Sequence, residues 1–458
     1  MNENPAALVP ELALLAGAVC GLLLGSWTPR RAQRRVRVLA AVACAVGLVA
    51  SGIGLAGPDQ VVFGGAFAVD TGTGVGRVVV LASTLLVLGM TTGGGPRETE
   101  FCALVQLAAL GALVLAGTTD LLLLVAGYLL ASIPLYALAG LDRDGPGTEA
   151  ALKYYLMGAL LGVLLLVGVT ALFAAGGGTG YPELAAALPT ASPALVGVGL
   201  IAVLAGVLFK VGAVPAHFWV PDVAQGSGVA VAAFATTVPK IGGVLALHRL
   251  GAEVITATAV DWALLLAVLA TASMTLGNLA AFFQDDPKRL LAYSTISQVG
   301  YLLVAVAVAG RTELAGPAVL FYLAAYAVTN LGAFAVVARV PERTSLAAYR
   351  GLARRRPLLV GVLVVCLLGL VGTPPTGVFL GKLEVFTAAL DGGLAWLAVV
   401  AVLNTAVSLF YYLRWILPAF LPTTGDEPAP GPGFVACAAG ALSLALGLGG
   451  GLVLPLLG

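Results

Sequence analysis

Charge is scarce in this sequence. Only 10% of its 458 residues are Asp, Glu, Lys or Arg, against 60% hydrophobic, and the mean hydropathy is +1.04. A soluble domain cannot carry such a surface. Cysteine is nearly absent as well. Cys20, Cys44, Cys102, Cys366 and Cys437 stand singly in apolar stretches, with no CxxC or CxxCH spacing. Neither an iron–sulfur cluster nor a haem attachment site is therefore indicated, and the cysteines are read as small packing residues. No Gly-rich phosphate loop follows a strand, so the sixty glycines are read as close helix packing. The first apolar run, Leu8 to Trp27, has no basic segment ahead of it and does not resemble a cleavable signal.

What is present is apolar sequence in runs of about 20 residues, each long enough to cross a hydrocarbon core of ~30 Å. We count about fourteen: near 7–27, 36–57, 73–93, 101–117, 119–140, 151–174, 195–214, 228–248, 259–283, 289–309, 316–338, 357–389, 394–420 and 433–457. They are continuous rather than alternating, which points to helices and not to a barrel. The expected fold is therefore an all-α polytopic membrane protein.

Arginine sets its orientation. The loop from Arg30 to Arg37 holds five arginines and that from Arg339 to Arg356 holds six, whereas 58–72, 175–194 and 390–393 hold neither Lys nor Arg. The positive-inside rule then puts the arginine loops in the cytoplasm and both termini outside, with only Arg77, Arg249 and Arg311 out of place.

Lysine behaves oppositely. Of five lysines, Lys153, Lys210, Lys240 and Lys382 interrupt apolar runs. A lysine at the bilayer centre costs roughly 2.5–3.5 kcal/mol on insertion scales, so four of them need a reason. Arginine stays protonated under nearly all conditions, whereas a lysine out of water can release its proton. Admitting lysine while excluding arginine suits a path for protons. Lys240 follows Pro239 and sits deep in its run, as does Lys382; Lys210 is near a break, and Lys153, at the start of the sixth run, could also snorkel to the cytoplasmic surface. His217 lies between Lys210 and Lys240 and could pass protons between them. His248, at a span end beside Arg249, is given no role. Glu384 and Glu11 are read as packing carboxylates.

Two runs carry prolines where a plain span would not: Lys210 to Asp222, with Pro215 and Pro221, and Gly369 to Lys382, with Pro374 and Pro375. Each helix should break there. The breaks lie about 160 residues apart, on runs seven and twelve. That is the layout of a transporter made of two inverted five-helix repeats with ion sites at broken helices. The expected division is 1–100 for helices one to three, 101–250 and 251–420 for the two repeats, and 421–458 for the last helix.

Several segments then carry a family resemblance. They are Glu149-Ala-Ala-Leu-Lys153-Tyr-Tyr, Phe209-Lys210-Val through Pro215-Ala-His217-Phe-Trp-Val-Pro-Asp222, Val238-Pro239-Lys240, Lys288-Arg-Leu-Leu-Ala-Tyr-Ser294, Pro374-Pro-Thr376 through Gly381-Lys382, and Asn404 through Arg414. The chain resembles the antiporter-like membrane subunits of proton-translocating NADH:quinone oxidoreductase (complex I), most closely the subunit N family. The Pro-Asp and Lys-Arg-Leu-Leu-Ala-Tyr-Ser segments are shared with Mrp-type cation/proton antiporters.

The resemblance implies that Lys210, Lys240, Lys382 and Lys153 form a proton relay along the middle of the membrane, joined by water and His217. It implies a bacterial plasma membrane, a hetero-oligomer with the other membrane subunits of complex I, and no nucleic acid partner. NADH, FMN, iron–sulfur clusters and quinone would be bound by partner chains, with no cofactor or metal here. Two departures stand out. The position aligned with the family's helix-five glutamate, expected to face the helix-seven lysine, is Leu129, and the helix-ten histidine is Gln298. An Mrp-like antiporter subunit and a non-pumping scaffold are the alternative readings.

Overall fold

A computed structural model of the protein describes residues 4–91, 97–258, 260–422, 431 and 433–458. The helices are α1 (Val9–Trp27), α2 (Arg34–Gly54), α3 (Thr71–Met90), α4 (Glu98–Gly117), α5 (Leu121–Ala139), α6 (Gly145–Gly176), α7 (Tyr181–Ala187), α8 (Pro193–Val211), α9 (Trp219–Gly226) and α10 (Val229–Glu253). They continue as α11 (Trp262–Ala281), α12 (Pro287–Ala307), α13 (Ala315–Arg339), α14 (Leu352–Arg355), α15 (Pro357–Val371), α16 (Gly377–Asp391), α17 (Ala395–Phe420), α18 (Phe434–Leu448) and α19 (Gly450–Val453). Among the described residues twelve helices are long and apolar enough to span, or thirteen if the pair Phe434–Leu448 and Gly450–Leu456, bent by 69°, is one span. The twelfth run falls short because its break leaves two pieces of 15 residues, α15 and α16. The ends of the third and ninth runs, 92–93 and 259, lie outside the described residues. One short antiparallel hairpin, β1 (Gln60–Val62) against β2 (Phe67–Val69), departs from the all-helical expectation.

Polar residues at the turns decide where helices start. Asp70, Asp120, Asp144, Asp261 and Asp286 each accept a backbone N–H from the first turn of the following helix. This satisfies donors that would otherwise be orphaned at the membrane edge. Helices α10, α12 and α13 are buried nearly all round and form the centre; α1, α2, α6 and α17 present Leu, Val and Phe outward.

The three arginines that break the charge rule are all paired. Arg77 bonds Glu11 through Nε at 2.8 Å and Nη2 at 2.9 Å, and both are buried. Arg249 bridges Asp70 at 2.7 Å and Glu253 at 3.0 Å, and Arg311 approaches Asp261 at 3.6 Å. Each exception is thus ion-paired where it stands.

Both predicted breaks are present and their hydrogen bonding matches. Helix α8 ends at Gly212 (φ 74°), whose N–H and that of Ala213 reach Leu208 O at 2.9 and 3.0 Å. Helix α15 ends at Gly372 (φ 91°), where Gly372 and Thr373 reach Leu368 O, both at 3.1 Å. The positive φ at both caps requires glycine. Val214–Pro215 and Pro374–Pro375 are cis. Every one of these features recurs at an offset of 160 residues (372 − 212). At that offset, however, Lys382 corresponds to Asp222, and Lys210 to Leu370. The two lysines share a kind of helix but stand on opposite sides of its break.

Candidate functional site

The apolar length of α8 carries Lys210 inside, one residue before the helix ends. Its side chain is buried, and Nζ donates to Ser132 Oγ of α5 while standing 5.1 Å from the centre of the Tyr128 ring. No carboxylate is bonded to it among the described residues. The expectation that position 129 faces this lysine needs correcting. Leu129 is 42% exposed on the outer face of α5, and Tyr128 and Ser132, at i and i+4, face the amine instead.

Lys240, on α10 after Pro239, is fully buried and has no hydrogen-bond partner among the described residues. Its Nζ lies 5.7 Å from the centre of the Trp219 ring. The same indole donates to Phe209 O at 2.9 Å, a carbonyl that also takes the Gly212 N–H at 3.2 Å, and stacks on Tyr154 at 4.3 Å. A Cβ at Gly212 would fall 2.7 Å from Lys240 Nζ, so that glycine also makes room for the amine. His217 is buried in the break between α8 and α9, its Nδ1 unpartnered, its ring against Phe218.

Lys382, on α16, turns back to the second break. Its Nζ donates to Val371 O at 2.9 Å and to Thr405 Oγ1 at 3.3 Å, over the Tyr301 ring at 3.9 Å. A Cβ at Gly372 would meet its Cδ at 2.9 Å. Each buried lysine thus rests on an aromatic face, which attracts a cation through its quadrupole without fixing the charge as a carboxylate would.

Hydroxyls and amides occupy the space between Lys240 and Lys382. Tyr326 donates to Thr236 O at 3.0 Å and to Thr295 Oγ1 at 3.1 Å. Tyr322 donates to Gln298, whose Nε2 donates to Leu370 O at 2.8 Å. Ser294 Oγ and Tyr412 Oη are hydrogen-bonded to each other at 2.5 Å, and Thr405 donates to Tyr301 at 3.1 Å. Gln298, where the resemblance led to a histidine being expected, thus holds a polar position and bonds the end of α15. Sequence reasoning assigned no role to Tyr128, Ser132, Trp219, Tyr301, Tyr322 or Tyr326. Their signal was hydroxyls and rings within apolar runs, ambiguous until the facing helix is known.

Lys153 does not join the buried set. It is half exposed and bridges Glu149 at 2.8 Å and Asp222 at 3.1 Å. Helix α6 has 32 residues, about 48 Å at 1.5 Å each, so its first turns project beyond a ~30 Å core. Asp222 also takes Arg289 at 3.1 Å, and Lys288 donates to Gln225 O and Ser227 O. The Pro-Asp and Lys-Arg-Leu-Leu-Ala-Tyr-Ser segments therefore clasp one another at the arginine-rich end. Glu384 is partly exposed on α16.

Among the described residues no cluster of His, Cys, Asp and Glu could hold a metal ion. What the site can do is carry positive charge between amines, hydroxyls and an imidazole.

Comparison with known proteins identifies the family. The family described as NADH:quinone oxidoreductase/Mrp antiporter, TM, matches residues 118–408. NADH-quinone oxidoreductase subunit N 1 of Streptomyces griseus is 57% identical, covering 100% of this chain and 98% of that protein. NADH-quinone oxidoreductase subunit N of a Mycobacterium species is 53% identical, covering 99% and 98%. A chain of respiratory complex I from Thermus thermophilus superposes with a TM-score of 0.85 at 36% identity, over 97% of this chain and 98% of that one. A chain of the Mrp complex from Dietzia, at 22% identity and TM-score 0.86, shares the fold. The chain belongs to the NADH:quinone oxidoreductase/Mrp antiporter family, within its subunit N branch.

Proposed function

We propose that this member of the subunit N family moves protons across the membrane as part of an NADH-quinone oxidoreductase, driven by quinone reduction on partner subunits. The observation that carries the reading is three buried lysines, Lys210, Lys240 and Lys382, none bonded to a carboxylate among the described residues and each set on an aromatic ring. In a low-dielectric interior a charge on one amine raises the cost of a charge on the next, so a change at one end of the row can displace a proton farther along. His217 and Tyr301 are the groups placed to pass it on, and Lys153 with Asp222 would meet protons at the cytoplasmic mouth.

This role places the chain in a bacterial plasma membrane with both termini outward, among other membrane subunits of the same complex. NADH, FMN, iron–sulfur clusters and quinone belong to those partners. The breaks at Gly212 and Gly372 support the division into repeats at 101–250 and 251–420, flanked by 1–100 and 421–458.

The test is quinone-coupled acidification by vesicles carrying Lys→Met at 210, 240 or 382. Each assembled variant is expected to lose proton movement. Pumping intact in K240M, with assembly lost when the subunit is deleted, would favour a scaffold; sodium exchange without NADH or quinone would favour an Mrp-like antiporter.

A further inference from the structure

Between Glu11 and Asp59 the sequence holds no acidic residue, yet five arginines stand together from Arg30 to Arg37. A 3-10 turn, Arg30–Ala32, runs into α2, so these arginines head a single span of 25 residues at the arginine-rich end of the bundle. Arg37 is occupied within the fold. It donates to Thr91 O at 2.6 Å and to Thr91 Oγ1 at 3.0 Å, and it pairs with Glu98 at 3.3 Å. Arg30, Arg31, Arg34 and Arg35 are exposed, and none has a hydrogen bond or ion pair among the described residues. Orientation accounts for the sign of this end of the chain, but not for four guanidiniums left without partners.

Three of the four converge. Arg31, Arg34 and Arg35 line a hollow of about 470 Å³ together with Ala32 and Val38. Farther along α2, Val38, Val42 and Val46 are exposed and recur every four residues, so they make one outward stripe. The stripe runs about 12 Å along the axis, close to the ~15 Å depth of one leaflet's hydrocarbon. Trp27, three residues before Arg30, is 81% exposed, as an aromatic anchor at the membrane interface would be. A protein partner would bury this face around aromatic side chains, whereas a stripe of valines under unpaired arginines suits acyl chains under a phosphate. The guanidinium supplies the matching fork, two parallel donors for two phosphate oxygens.

We propose that this hollow holds the phosphodiester of an anionic phospholipid. Arg31, Arg34 and Arg35 donate to its oxygens, Arg30 adds to the positive field, and the acyl chains lie along Val38, Val42 and Val46. The site is separate from the buried lysines, and its test does not depend on proton movement.

The experiment uses the assembled complex in phosphatidylcholine nanodiscs doped with a trace of lipid carrying a diazirine in one acyl chain. The probe is either phosphatidylglycerol or phosphatidylcholine, and labelled residues are mapped by peptide mass spectrometry after irradiation. In the parent, phosphatidylglycerol should label Val38–Val46 about tenfold more than phosphatidylcholine does, since each guanidinium at the surface favours an anionic lipid about fivefold before screening. R31Q/R35Q should bring the two probes to within about twofold of each other, and R34Q should lower the preference about threefold. Salt at about 1 M should abolish it in the parent, because the charges involved are exposed. Equal labelling by the two probes in the parent overturns the proposal, as does an undiminished preference in either variant. Labelling by neither probe means that a neighbouring chain covers this face, and overturns it too. Should both variants fail to assemble, the parent decides: a preference that survives about 1 M salt sinks the proposal.

Discussion

The Glu11–Arg77 pair offers a quantitative test of how this bundle tolerates charge. Both side chains are buried, joined by two bonds of 2.8 and 2.9 Å, and Arg77 also reaches Ala7 O at 3.0 Å with Phe67 5.4 Å from its guanidinium. The two single losses are not equivalent. Glu11→Ala leaves a guanidinium that cannot shed its proton, so about 3–5 kcal/mol should be lost. Arg77→Met leaves a carboxyl that can take one up, and about 1–3 kcal/mol should be lost. Replacing both, as Glu11→Leu with Arg77→Met, removes the need for pairing and should be close to neutral, or stabilising by up to about 4 kcal/mol. Thermal denaturation of the complex in lipid nanodiscs reads all three. The order Glu11→Ala, Arg77→Met, double variant, from least to most stable, is the expected result. A double variant at least as unstable as Glu11→Ala would refute the account of Arg77 as a locally neutralised exception.

Three further outcomes follow from the geometry. Tyr301→Phe keeps the ring under Lys382 but drops the hydroxyl bonded by Thr405, so vesicle acidification should fall while assembly is unchanged. Tyr301→Leu should lower both. Ser132→Ala removes the hydrogen-bond partner of Lys210, a bond to a charged group worth about 1.5–3 kcal/mol, and should change the acidification rate more than Leu129→Ala, which alters an outward side chain. For Asp70, burial pushes the carboxyl up, but the Arg249 guanidinium and the Thr73 amide outweigh it and hold it below the usual carboxylate range. Its contribution to stability is therefore full above the unfolded value of about 3.9 and lost as pH falls through the folded one. The acid limb of thermal stability, from about pH 5 to 3, should be shallower in Asp70→Asn than in the parent.

Much of the architecture is legible in the residues alone. The breaks at Gly212 and Gly372 are visible because proline and glycine act on their own turn of chain. Lys240 and Lys382 stand out because a charge amid Leu and Val is anomalous whatever surrounds it. Lys153 is ambiguous in sequence, since the same residues describe a buried lysine and one that reaches past the membrane edge. The length of α6 and the position of Asp222 resolve it.

The sequence by itself determined that this chain lives in a bilayer, where its helices lie and break, and which amines they carry inward. Those are consequences of run length and local backbone chemistry. Only the tertiary structure decided that Tyr128 and Ser132, not residue 129, face Lys210, and that Glu11 answers Arg77 across 66 residues. The reason is physical. A soluble helix announces its buried face by alternating apolar and polar stripes, but in lipid every face is apolar. Which side chain turns inward is then set by the neighbour it packs against.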